Sequence, residues 1–288
     1  GWHDWYIGTT TRNSGVPASV RELSTGFTFN DADALKAMFR AEPEGYAAVI
    51  VEPMALQAPA PGFLEALRSL CDIYGTLLVF DEIITGFRLD LGGAQKFFGV
   101  IPDLAAFGKA MGNGMPISAI VGRRQYMTLM EEIFFSGTFG GEALSLAASI
   151  ATIDKLHKED AVQKIAKTGA DLKTGLGLCI DRHSLNQELA VSGGDWWPAV
   201  LPTGNGRGDI SLLTSLVKQE LIESGVLMGP TFNLCLAHCE QLVMEQTLEA
   251  WDAALGRVSD ALSSNEPEMR LRGKPIRPVF EVRPRNKD

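Results

Sequence analysis

The chain has 288 residues, 45% hydrophobic and 21% charged, the balance of a folded globular protein and not of a disordered one. Lys plus Arg number 26 against 35 Asp plus Glu, a formal charge of −9, so the basic footprint of a nucleic-acid binder is missing. No apolar run reaches the roughly 18 residues of a membrane helix, and four cysteines are too few for a disulfide scaffold of this length, which points to a reducing, cytoplasmic setting.

The chain opens Gly1-Trp2-His3-Asp4-Trp5-Tyr6, without Met and already dense in aromatics, like the middle of a protein. Residues 47–51 (AAVIV) read as a buried strand ended by Glu52-Pro53. Residues 61–74 read as a helix, with Pro61 in its first turn, Phe63, Leu64, Leu67 and Leu70 on one face, and Gly75 as its stop. Residues 76–80 (TLLVF), 103–107 (DLAAF) and 117–122 (ISAIVG) are further strands. Runs apolar on both faces with helices between them predict a parallel α/β sheet. Residues 142–157 and 160–183 then read as consecutive helices. Residues 191–209, with five Gly, two Pro and two Trp, read as irregular. Residues 209–223 form a helix capped by Asp209, and 239–263 form another. The tail from Arg270 is basic and Pro-punctuated. A boundary near residue 155 divides a large domain (1–155) from a small one (156–288).

In open parallel sheets, ligands gather at the carboxyl ends of strands. Asp81 follows one strand directly, and Lys109 follows another 28 residues later. By position alone, a structural ion pair or two solvated loop residues is the plainer reading. The context favours chemistry. Gly108, Gly112 and Gly114 flank Lys109 and let backbone approach a ligand. A lysine in an apolar pocket becomes a usable amine nucleophile. A lysine for a Schiff base, with an acid for a pyridinium nitrogen, is the pairing that pyridoxal phosphate requires.

Asp81-Glu82-Ile83-Ile84-Thr85-Gly86-Phe87-Arg88, then Phe107-Gly108-Lys109, then Ser136-Gly137-Thr138-Phe139-Gly140-Gly141-Glu142-Ala143 resemble the class III aminotransferases, in their glutamate-1-semialdehyde aminomutase-like branch. Trp2-His3-Asp4-Trp5 and Gly225-Val226-Leu227-Met228 with Asn233-Leu234 and Ala237-His238 follow the same order. The resemblance spans nearly the whole chain. It implies fold type I of the pyridoxal-phosphate-dependent transferases, the aspartate aminotransferase superfamily, and amino-group transfer from an amino donor to a carbonyl acceptor. It implies pyridoxal 5'-phosphate held by a Lys109 Schiff base, Asp81 against the ring nitrogen, and Ile83 on one ring face. It also implies a homodimer in which Thr138 reaches the cofactor phosphate of the neighbouring subunit, and Glu52 near the substrate end of the ring. Rival readings are an intramolecular aminomutase and a catalytically silent fragment of this fold.

Two departures stand out. Some members carry a Gln three residues after the acid, to bond the cofactor's phenolic oxygen. Here that residue is Ile84, and Gln57, five residues after Glu52, is the candidate replacement. Members also carry an upstream segment with a phosphate-holding turn and a stacking aromatic. From a start at Gly1, weak cofactor binding and a tendency to associate are expected. Cys235-x-x-His238-Cys239 and the Cys179/His183 pair read as packed residues sooner than as a zinc site. Trp196-Trp197-Pro198 is either an entrance lining or core, His3 reads as packing, Arg207-Gly208-Asp209 reads as a loop and cap, and Arg283 has no role.

Overall fold

The computed structural model describes residues 4–207, 209–229 and 231–276. Trp2, His3, Gly208 and Arg283 with its basic tail lie outside the described residues.

Helix α1 (Ala32–Ala41) starts where Asp31 accepts the Ala34 N–H at 2.8 Å. It buries Leu35 and Phe39 beside β1 (Ala48–Val51). Helix α2 (Phe63–Tyr74) lies between two left-handed glycines, Gly62 (φ 82°) and Gly75 (φ 67°), so Pro61 stands before the helix and not in its first turn. Its stripe of Phe63, Leu64, Leu67, Leu70 and Cys71 is buried. Strand β2 (Leu77–Asp81), helix α3 (Gly93–Phe98), and strands β3 (Leu104–Phe107) and β4 (Ala119–Gly122) complete a sheet of order β1-β2-β3-β4.

β1, β2 and β3 run parallel, whereas β4 runs antiparallel to β3. The sheet is mostly parallel, as expected, with β4 as its antiparallel strand. Residues 108–118 hold one short 3₁₀ turn and no crossover helix, so the chain can only return beside β3 in the opposite direction. Buried Asp103 fixes this corner. Its carboxylate accepts from Leu78 N–H (2.8 Å) and Arg68 (2.9 Å) and pairs with Arg123 (3.2 Å), tying β2, α2 and the end of β4 to the start of β3.

Helix α4 (Ala143–Lys158) is capped by Glu142, which accepts from Leu144 and Ser145 N–H at 2.7 and 2.8 Å. Helix α5 (Ala161–Arg182) follows. The stretch expected to be irregular contains strand β6 (Ala199–Pro202), paired antiparallel with β5 (Leu189–Ser192). Four-residue strands are too short to show an alternating pattern among five glycines, and Gly193 and Gly194 make the turn between them. Gly169 of α5 lies so close to this turn that a Cβ there would come within 1.7 Å of Asp195 O, and Lys173 donates to Gly193 O at 2.9 Å. Helix α6 (Ile210–Glu223) is capped by Asp209, and α7 (Gln241–Leu262) closes the described fold.

One core runs from Leu35 to Met111 and another from Leu172 to Leu262, the second built around fully buried Leu176, Leu216, Trp251 and Leu255. Residue 155 falls inside α4, between the two. A third cluster of Met54, Leu89, Ala94 and Trp196 joins the sheet's loops to the hairpin turn. Among the described residues no helix is long and apolar enough to cross a membrane.

Candidate active site

Three adjacent parallel strands end on one side of the sheet, and each end supplies a charged residue: Glu52 after β1, Asp81 on β2, and Lys109 two residues past β3. The two neighbouring acids of β2 have different settings. Glu82 is fully buried and accepts from Ala94 N–H (2.7 Å), Gln95 N–H (2.9 Å) and the Thr85 hydroxyl (2.6 Å). It thereby holds the first turn of α3 and anchors the segment from Asp81 to Arg88. Asp81 is half-buried and accepts only from Ile83 N–H (3.1 Å), which leaves Oδ2 without a hydrogen bond among the described residues.

The charges act on one another. Burial pushes the Lys109 amine below the ordinary lysine range, and the Arg88 guanidinium pushes the same way against the pull of Glu52 and Asp81. Burial and the nearby Asp81 charge raise the Glu52 carboxyl. Ile83 packs beside the lysine's own backbone: a Cβ on Gly108 would come within 3.1 Å of Ile83 Cδ1.

Lys109 opens onto a cleft of about 1100 Å³. Its lining comes from Ile84, Phe87, Arg88 and the loop from Gly112 to Ile117, from α4, and from Trp197 and residues 233–237. Trp197 donates to Asn233 Oδ1 at 3.1 Å and stacks on buried Trp196, so of the two tryptophans one lines the cleft and the other is core. Phe87 (φ 60°), Lys109 (φ 42°) and Asn113 (φ 46°) all have left-handed backbone, three of the six such non-glycine residues described, and all three line this cleft. Strain of this kind gathers at sites whose geometry is over-determined by function.

Not every expected residue meets there. Gln57 is exposed on the loop after β1 and is absent from the cleft wall. Thr138 is exposed in a segment where Ile133, Phe134, Phe135 and Phe139 also face outward, Phe134 at 96% exposure. Asp81, Glu52 and Ile83 are not on the cleft lining; Asp81 and Ile83 are half-buried, and Glu52 is exposed over much of its surface. Cys235 Sγ lies 3.2 Å from His238 Nδ1, and His183 is paired with Asp252 at 3.0 Å. Among the described residues no three metal-ligating side chains converge. Sequence reasoning passed over Arg88, Asn113 and Asn233 as cleft residues. Only the folded chain shows that their loops face Lys109.

A family model described as Aminotransferase class-III matches residues 18–194. The 3-aminobutyryl-CoA aminotransferase of Cloacimonas acidaminovorans is 34% identical over 271 residues, 91% of this chain and 64% of that protein. The glutamate-1-semialdehyde 2,1-aminomutase of Ignicoccus hospitalis is 35% identical over 274 residues, 86% of this chain and 62% of that protein. The chain thus spans less than two thirds of the length of these curated relatives. Among solved structures, the FumI protein of Sphingopyxis sp. MTA144, in its PLP internal aldimine form, superposes with a TM-score of 0.80 at 29% identity, covering 88% of this chain and 62% of that one. A transaminase with PLP bound superposes with a TM-score of 0.82 at 21% identity, covering 92% and 66%.

Proposed function

This chain belongs to the class-III aminotransferases and has the fold type I architecture of pyridoxal-phosphate-dependent transferases, and from that premise we propose that it carries the reaction centre for amino-group transfer between a small amino donor and a carbonyl acceptor. The observation that carries the reading is the placement of Lys109, just past the end of β3, on the cleft lining and next to the strand ends that bear Asp81 and Glu52.

The donor set fits pyridoxal 5'-phosphate. Lys109 has no ion-pair partner among the described residues, and Asp81 keeps one carboxylate oxygen unbonded. Lys109 would hold the cofactor covalently, Asp81 would pair with its ring nitrogen, and Ile83 would lie near one ring face. When bound, the cofactor supplies an electron sink for charge developing on the substrate carbon. Once displaced by the donor's amine, Lys109 would be placed to accept the proton of the donor carbon, a task that needs the neutral amine its surroundings favour, and as ammonium to deliver a proton to the acceptor carbon in the reverse direction. Glu52, whose carboxyl is raised, would stand at the substrate end of Lys109. Gln57 would turn inward to serve the cofactor's phenolic oxygen.

Residues 1–155 form the cofactor-binding domain in this reading and 156–288 the small domain, in keeping with the two cores. The partner macromolecule is a second copy of this chain. The outward apolar row of Phe134, Phe135, Phe139, Leu144 and Ile150 is more than a monomer normally leaves in water, and Thr138 within it would reach the neighbouring site. The setting is the cytoplasm.

The test is reductive trapping with borohydride, followed by peptide mass spectrometry and a donor/acceptor panel. The cofactor's mass should fall on Lys109, and Lys109→Ala should abolish both trapping and product. Trapping on any other lysine overturns the assignment. A second reading, transfer within one molecule, rests on the 35% identity to a 2,1-aminomutase. It is distinguished by product forming without any separate acceptor.

A further inference from the structure

Arg88 is half-buried in the wall of the cleft, and its Nη1 donates to Ile84 O at 3.0 Å. That is its one hydrogen bond among the described residues. Six other arginines, Arg68, Arg123, Arg182, Arg207, Arg257 and Arg272, each hold a carboxylate, and Arg88 holds none. The other long cation of the cleft wall, Lys155, is paired with Glu159. Arg88 and Lys109 are therefore the two cations on the cleft lining that form no ion pair among the described residues, and of these Lys109 still has the charges of Glu52 and Asp81 nearby.

A guanidinium half out of water without an anion is an unfavourable arrangement that a ligand can relieve. Its planar fork matches a carboxylate through two parallel N–H donors, and Nε and Nη2 are left for that purpose. Glu52 and Asp81 lie outside the cleft lining and act on Lys109, whereas Arg88 is an unpaired cation on the lining itself. Trp197 and Asn233 line the same cleft. The argument rests on the function proposed above, which it narrows to one class of substrate.

We propose that Arg88 is the anion anchor of the cleft, taking the carboxylate of an amino or oxo acid whose reacting carbon lies at Lys109. An inorganic or cofactor phosphate shares the anionic chemistry, and the experiment separates the two sources.

The experiment is calorimetric titration of the chain, with and without pyridoxal phosphate, using glutarate, its uncharged counterpart glutaramide, and inorganic phosphate. Wild type, Arg88→Gln and Arg88→Lys are compared, with melting curves to confirm that each is folded. Arg88→Gln should weaken glutarate binding about ten-fold or more, Arg88→Lys should restore part of it, and glutaramide should be indifferent to the substitution. Phosphate binding should be the same in wild type and Arg88→Gln. Equal glutarate affinity in wild type and Arg88→Gln overturns the proposal, as does a loss confined to phosphate or an absence of glutarate binding to wild type. If Lys109 fails to take up the cofactor while glutarate binding still depends on Arg88, the proposed function falls and the anchor stands. Uptake on Lys109 with no Arg88 dependence gives the reverse.

Discussion

Replacing Glu82 tests how the segment from Asp81 to Arg88 is held. The Glu82 carboxylate, fully buried, accepts three short hydrogen bonds, from Ala94 N–H, Gln95 N–H and the Thr85 hydroxyl. A bond to a charged group contributes about 1.5–3 kcal/mol, and a buried donor left unpaired costs a similar amount. Gln95 is half-exposed and regains water, so the three losses do not simply add. Glu82→Ala should cost about 3–5 kcal/mol, the range for breaking a buried charged contact. Glu82→Gln keeps the shape and one acceptor oxygen but turns an NH₂ group toward backbone donors, and should cost about 1–3 kcal/mol. Urea unfolding at neutral pH reads both values from the shift in midpoint, with the slope unchanged. A Glu82→Ala loss below about 1 kcal/mol would refute the claim that this side chain, and not the apolar contacts around Ala94, anchors α3 and the loop.

Asp81→Asn should leave unfolding within about 1 kcal/mol of wild type, since one bond of 3.1 Å is at stake, yet reduce turnover roughly 10²–10³-fold; equal turnover in the two proteins would remove Asp81 from the reaction. Because burial and Arg88 lower its affinity for protons, Lys109 carries more neutral amine at about pH 8 than an ordinary lysine. Under limiting acetic anhydride it should therefore acylate ahead of Lys167, as followed by mass spectrometry, and the reverse order would contradict the depressed amine. Burial alone would raise the Asp252 carboxyl, but His183 and Arg182 outweigh it and hold the carboxyl low. The stability that this depressed group contributes is present above its unfolded value of about 3.9 and is lost as pH falls through its folded value. The gap in unfolding midpoint between wild type and Asp252→Asn should accordingly be widest near neutrality and close in acid. Gly169→Ala puts a methyl 1.7 Å from Asp195 O and should cost about 1–3 kcal/mol or more by forcing α5 off the hairpin turn; a melting temperature equal to wild type would mean the contact is slack.

How far the sequence discloses the molecule depends on the range of each interaction. Strands β1 to β3 can be read because each is a continuous apolar run, and reading their ends gives Asp81 and Lys109 as neighbours, whereas Glu52 enters only through the family resemblance. The direction of β4 is not written in its residues; it follows from a connection without a helix, and only the chain path shows that. The hairpin of β5 and β6 hides because its strands are four residues long and its glycines suggest disorder. The role of Glu82 does not show in the sequence, since the backbone donors it serves lie 12 and 13 residues further on. Arg88 reads in the sequence as one more residue of its motif, and only the fold puts it on the cleft lining without an ion pair.

A lysine held at φ 42° costs about 1–2 kcal/mol relative to right-handed backbone, a cost that glycine escapes. Lys109→Gly would thus delete the amine and relax the chain in one step. A library ranked by heat resistance would promote that lesion, and one ranked by turnover would discard it. Phe87 and Asn113 pose the same conflict around the same cleft. Descendants of this protein hardened by temperature alone would carry glycines at these three positions, and the accumulation of glycine there would mark the point at which chemistry had ceased to be under selection.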